Sequence, residues 1–230
     1  MRENRRSKYQ RERTTKLVHY ILVCLILFYL FSTSVFAVCP SGAGNVCSKA
    51  SGNWNDPAIW DIDCDGNTSN DGSVPSPGSN VCISVAHNVT LNTNTSISNL
   101  QVDGTLNLGT TNNILTITGN VTINGTWNPG NGKVVWLSAN NIVDPVADPA
   151  AADYYDLEIQ GASTYTVNST IRIVNSLFLN SSTTNSLTIE NGGKIIVGNN
   201  GAGGIYISAN NTLNCATAFT VQPIIEFAGG

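Results

Sequence analysis

The 230-residue chain predicts an all-β fold, a single-stranded parallel β-helix (solenoid), on three observations. Charged residues are only 11% of the chain against 41% hydrophobic, and Asn, Thr, Ser and Gly, all poor helix formers, fill the polar positions. From about residue 80 onward, apolar and polar residues alternate in short runs broken by Gly and Asn, the period of half-buried strands. One local phrase recurs: Leu100-Gln101-Val102-Asp103-Gly104-Thr105-Leu106, Leu115-Thr116-Ile117-Thr118-Gly119-Asn120-Val121, Val121-Thr122-Ile123-Asn124-Gly125-Thr126, then Leu187-Thr188-Ile189-Glu190-Asn191-Gly192-Gly193 and Ile205-Tyr206-Ile207-Ser208-Ala209-Asn210. Self-similarity on this scale marks coils that bury an apolar face only by stacking on one another. The composition excludes a helical bundle, and a net charge of −4 with this much hydrophobic residue excludes a disordered chain.

The chain divides into residues 1–37, 38–80 and 81–230. Seven of the eleven basic residues precede Leu17, and Leu17 to Phe31 is nearly unbroken apolar sequence followed by Ser32-Thr33-Ser34-Val35-Phe36-Ala37. This is the pattern of a secretory signal peptide, with small residues at 35 and 37 placing cleavage after Ala37. An uncleaved anchor, and lipidation at Cys39, are the competing readings; Val38 stands where lipidation expects a small residue.

Residues 38–80 carry turn chemistry, two tryptophans and three of the five cysteines outside the leader (Cys39, Cys47 and Cys64), with a fourth, Cys82, just beyond the boundary. A solenoid must cover the open end of its first coil, so this segment is expected to form an amino-terminal cap with Trp54 and Trp60 packed over that end. In an exported chain the cysteines point to disulfides, with three pairings open among those four and Cys215 left over.

Residues 81–230 predict strands at Val81–Leu91, Ile97–Leu108, Ile114–Thr118, Val121–Trp127, Lys133–Leu137, Leu157–Ile159, Thr164–Val167, Thr170–Val174, Ser176–Leu179, Ser186–Ile189, Lys194–Val197, Gly204–Ile207 and Phe219–Phe227. The rival architecture is a β-sandwich, for which Asn124-Gly125 would be a hairpin turn. The abundance of Asn favours the helix, because equivalent turn positions stack and their amides can form ladders. With no closing segment after Phe227, the chain is expected to be a fragment or part of a longer repeat domain.

The phrases Ser51-Gly52-Asn53-Trp54-Asn55-Asp56-Pro57-Ala58-Ile59-Trp60, Val74-Pro75-Ser76-Pro77-Gly78-Ser79-Asn80-Val81-Cys82-Ile83 and His87-Asn88-Val89-Thr90-Leu91 resemble the opening of G8-type β-helix domains of bacterial surface proteins. The resemblance covers about residues 50–140 and implies an extracellular, right-handed parallel β-helix in an adhesin-like or carbohydrate-associated protein. It carries no catalytic residues across. The stretch Asp61 to Gly72 is longer than that pattern and is acidic.

Within that stretch, Asp61, Asp63 and Asp65 alternate ahead of Gly66, as in loops that wrap Ca²⁺ in hard oxygen ligands. Asn67, Ser69 and Asp71 supply the further ligand positions, although the closing Glu is replaced by Gly72 and no helices flank the loop. A solvated acidic turn is the bland alternative. Trp127 and Trp136, with Tyr154, Tyr155, Tyr165 and Tyr206, form a candidate carbohydrate platform, against the reading that they fill the coils. Asp153, Asp156 and Glu158 are expected to mark a solvated turn, and His87, alone outside the leader, a structural position.

Removing residues 1–37 leaves four Lys and Arg against thirteen Asp and Glu, a net charge of −9. Nucleic acid and anionic membrane surfaces are therefore not expected partners, and contact with a membrane is expected only through the leader. An extracellular polysaccharide or another surface protein is. The sequence predicts a secreted or cell-surface module with a structural or adhesin-like role and no catalysis. The alternatives are a carbohydrate-binding accessory module and the remnant of a polysaccharide lyase or hydrolase.

Overall fold

The computed structural model describes residue 39 and residues 44–67, 71–137, 152–161, 164–167, 169–180, 185–189, 193–198, 204–209, 211–215 and 224–227, which lie in the compact unit Ala37–Gly230. The leader and its cleavage site fall outside the described residues. Within them no helix is long and apolar enough to cross a membrane, and the one helical turn is the 3₁₀ segment Pro57–Ile59.

The architecture is a parallel β-solenoid. On a first face Asn45–Ser48, Asn80–Ile83, Leu100–Val102 and Val121–Ile123 stack in parallel register. A second face stacks Gly52–Asn53, Asn88–Thr90, Thr105–Asn107 and Thr126–Asn128. A third runs through Thr95–Ile97, Ile114–Ile117, Lys133–Trp136, Tyr154–Ile159 and the ten-residue strand Thr170–Leu179. Lys194–Val197 and Ile205–Ile207 then pair with the two halves of that long strand, and Ile224–Phe227 pairs with Lys194–Val197. Thr164–Val167, Asn185–Ile189 and Asn211–Cys215 make a separate parallel sheet.

Register converts the period-two pattern into continuous interior columns. Ile97, Ile117, Trp136, Ile159 and Leu179 align on successive coils, each fully or almost fully buried, as do Val89, Leu106 and Trp127. Each such side chain contributes about 1.5–3 kcal/mol by leaving water, and none can do so without the coil above or below.

Asparagine ladders run along the outside, as the composition predicts. Asn80 Nδ2 donates to Asn45 Oδ1 at 3.0 Å, and Asn99 Nδ2 to Asn80 Oδ1 at 2.6 Å. The backbone N–H of Asn120 continues the series to Asn99 Oδ1 at 2.6 Å. A second ladder links Asn88, Asn107 and Asn128. An amide both donates and accepts, so one residue type can bridge both neighbours indefinitely.

Asn124-Gly125 is a corner and not a hairpin: the strands on either side pair with the preceding coil and not with each other. The N–H groups of Asn124 and Gly125 both donate to Val102 O at 2.8 Å, just as those of Asp103 and Gly104 do to Ile83 O one coil earlier. The corners nest so closely that a Cβ on Gly125 would lie 2.0 Å from the backbone O of Gly104. Gly125→Ala is therefore expected to cost about 1–3 kcal/mol through overpacking against a backbone atom that cannot swing aside. Urea unfolding followed by circular dichroism measures it; an unchanged midpoint would show that the corners are not in contact.

Residues 38–80, expected to be mostly turn, supply the first coil. Asn45–Ser48 and Gly52–Asn53 pair in parallel with the coil that follows, and Trp60–Asp61 pairs antiparallel with the other edge of Asn45–Ser48. Trp54 and Trp60 are buried together, ring centroids 5.0 Å apart in an edge arrangement, and Trp60 Nε1 donates to Trp54 O at 2.8 Å. Of the three pairings open to the four cysteines, the chain adopts Cys39–Cys82 and Cys47–Cys64. Cys215 ends strand Asn211–Cys215, opposite Ile189 in the register.

Candidate ligand sites

The acidic loop begins where Asp61 leaves its strand. Asp61, Asp63 and Asp65 converge, with one carboxylate oxygen from each inside 4.8 Å of the others. The convergence has a local cause: Cys64 and Gly66 take positive φ (56° and 79°), and Cys64 is tied to Cys47, so the chain curls back on itself. Buried Asp61 accepts from Gly66 N at 2.9 Å and Asp63 N at 3.4 Å, and Asp65 accepts from Asn67 N at 2.8 Å. Desolvation, and then the neighbouring Asp65 and Asp61 carboxylates, hold the Asp63 carboxyl above its ordinary range.

The remaining predicted ligands do not complete a shell. Asp71 turns away, ion-paired with Lys49 and accepting from Ile62 N at 3.3 Å. The Asn67 side-chain amide donates to Asp65, and Ser69 lies outside the described residues. The donor set is three hard carboxylates, which suits a weakly held divalent cation and falls short of the six or more oxygens of a full Ca²⁺ shell.

Trp127 and Trp136 do not form a carbohydrate platform. Both are buried, 4% and 1% exposed, because they occupy inward columns in register with Leu106 and Ile117. Trp127 packs edge-on against Tyr154 and its Nε1 donates to Asp153 O at 2.8 Å, which leaves no indole face for a sugar. The signal that could have found this was in the repeat: aligning Leu106 with Trp127 places the indole inside.

Asp153, Asp156 and Glu158 are not a solvated turn. The last two lie on strand Tyr154–Ile159, and Asp153, buried just before it, accepts from Arg172 N at 2.6 Å. Asp156 accepts from Asn175 Nδ2 at 2.8 Å and Ser176 N at 3.0 Å. Glu158 accepts from Lys133 Nζ at 2.6 Å, Gln160 Nε2 at 2.5 Å and Asn180 Nδ2 at 3.0 Å. Burial alone would raise the Glu158 carboxyl, but those three donors outweigh it and hold it below its ordinary value. A general acid needs the opposite shift.

That shift has a pH consequence. A carboxylate depressed in the folded state adds stability that is present above its unfolded pKa and disappears as pH falls through the folded value. Glu158→Gln is expected to flatten the loss of stability below about pH 4.3. Midpoints of thermal melts between neutral and acid pH test this, and parallel acid limbs in both proteins would count against it.

His87 sits at a corner beside Ala86, a residue with φ of 67°. Its Nδ1 lies 2.9 Å from Ser48 O and 3.0 Å from Ser48 Oγ, while Ser48 Oγ, itself buried, accepts from Ser84 N at 2.8 Å. With Nδ1–H donating to a carbonyl and the serine hydroxyl enclosed, the pair fastens one corner to the next. No protein-family model, curated protein or solved structure matches the chain, so the resemblance of about residues 50–140 to G8-type domains rests on sequence motifs alone.

Proposed function

We propose that the chain is an exported β-solenoid module with a structural, adhesin-like role at the cell surface. The observation that carries this reading is the stack itself. Parallel coils are bonded edge to edge, amide ladders follow the same axis, and two disulfides fasten the first coil. Such a body stays rigid without any ligand and presents fixed rows of side chains. The leader-like segment and the cysteine pairs support export into an oxidising compartment.

The test is localisation of the full chain in its own host. Protease shaving of intact cells, with mass spectrometry of the amino terminus, is expected to release a chain beginning at Val38. A chain that still begins at Met1 and resists shaving until lysis would sink the proposal.

The converging carboxylates favour one accessory property, a weak Ca²⁺ site at Asp61, Asp63 and Asp65 with Kd about 10⁻⁴–10⁻³ M. Calorimetric titration with Ca²⁺ is expected to give a small signal that Asp63→Ala abolishes. Equal signals from both proteins, or none from either, would leave the loop an acidic turn.

A further inference from the structure

The two disulfides meet at one point on the first face. Cys47 and Cys82 are register partners on adjacent parallel strands, so their side chains point to the same side of the sheet. Their sulfurs and that of Cys39 all lie within 4.8 Å of one another. Burial divides the four cysteines: Cys47 and Cys82 are 5% and 4% exposed, whereas Cys39 and Cys64 are half-buried. Each bond therefore joins an inner sulfur on a strand to an outer one, Cys64 in the acidic loop or Cys39 ahead of the first coil.

We propose that these four cysteines form a thiol-operated switch in which attack from outside is passed inward, leaving Cys47 bonded to Cys82 and freeing Cys39 and Cys64 as thiols. An incoming thiolate bonds Cys64 Sγ while the bond to Cys47 breaks, its electron pair leaving on Cys47. The Cys47 thiolate then bonds Cys82 Sγ, and Cys39 departs as a thiolate that takes up a proton. A second small thiol frees Cys64 from the mixed disulfide. In sum two small thiols become one disulfide, and two protein disulfides become one plus two thiols, a two-electron reduction in which both protons end on the protein. Attack at Cys39 runs the mirror course through Cys82 and reaches the same product.

Register makes the inner bond the survivor. Neighbouring strands lie about 4.7–4.9 Å apart, inside the roughly 4.4–6.8 Å between Cα atoms that a disulfide spans. The ladder between the two strands and the buried Val46 and Val81 beside the pair already hold it in place. A bond to Cys39 or Cys64 must in addition order a residue that lies in no strand. The exchange keeps the first coil fastened to the second and lets go of the acidic loop, in which Cys64 holds a φ of 56° between Asp63 and Asp65.

The inference goes beyond the surface role, and its test needs only the oxidised full chain. The probe is 2-mercaptoethanol, which is neutral, because Asp63 and Asp65 beside Cys64, and Asp103 with its Oδ2 3.8 Å from Cys82 Sγ, repel an anionic thiol. Titration with it, an N-ethylmaleimide quench, and mass mapping after thermolysin and Asp-N digestion are expected to show one dominant half-reduced species. In it Cys39 and Cys64 are alkylated, and Cys47 and Cys82 are joined. A second measurement uses the double variant Cys39→Ser with Cys64→Ser, in which air oxidation should abolish maleimide labelling of Cys47 and Cys82. Any other bond dominant at half reduction, passage straight to four thiols, or labelling of Cys47 and Cys82 that persists in the folded double variant would overturn the switch. Where the chain resides in its host has no bearing on these outcomes, nor they on it.

Discussion

Trp60→Ala is expected to lower stability by about 3–5 kcal/mol, the largest effect of any single substitution considered. Trp60 is fully enclosed and meets Trp54 edge-on, and its Nε1 donates to Trp54 O, so truncation opens a cavity and orphans a buried carbonyl together. The control is Trp54→Phe. Trp54 Nε1 is buried without a hydrogen-bond partner, so phenylalanine removes an unmet donor and should cost less than about 1.5 kcal/mol. Equilibrium urea unfolding compares the two. Equal losses would mean that the cavity at Trp60 and its hydrogen bond to Trp54 O add nothing.

Reducing both disulfides is expected to have an effect of the same order or larger. Cys39–Cys82 spans 43 residues and Cys47–Cys64 spans 17. Chain entropy assigns these about 4 and about 3 kcal/mol, as upper values. The loss should be local, since each coil of a solenoid draws its stability from its neighbours. Amide exchange in reducing buffer is expected to quicken across Asn45–Ser48 and Trp60–Asp61 while Val134–Trp136 stays protected. Uniform loss of protection would show instead that all coils unfold as one unit.

The interior of the fold was legible in the sequence because an inward column needs only alternation and recurrence. Ile114–Ile117, Thr164–Val167 and Lys194–Val197 appear within a residue of where the apolar rhythm puts them. The corners were not legible. Ile97 to Leu108 looks like one run but holds the last residue of strand Thr95–Ile97 and two further strands, Leu100–Val102 and Thr105–Asn107. A coil can turn at Asn99 or Asp103-Gly104 without breaking the in-out alternation, so the pattern carries no mark of the bend. Asn211–Cys215 was missed for the converse reason: with Leu213 nearly alone as an apolar residue, its extended form comes from pairing with Asn185–Ile189.

The candidate sites divide along the same line. Convergence of Asp61, Asp63 and Asp65 follows from local spacing, so three neighbouring residues sufficed to suggest it. Diversion of Asp71 to Lys49 depends on a residue 22 positions away, and the burial of Trp127 on its register with Leu106 one coil earlier. Neither leaves a local trace. Both are products of how far the chain travels before it passes over itself.

The reversed strand Trp60–Asp61 also bears on solubility. Parallel coils end in unsatisfied edges, and a long flat edge invites a second molecule to add its own strand and seed fibrils. Here the outer side of Asn45–Ser48 is taken by a strand of two residues that runs the opposite way and leads directly into an acidic loop. A template that short, with like charges beside it, gives an incoming chain little to copy, so at this edge the fold discourages the endless self-addition that its own stacking principle would otherwise permit.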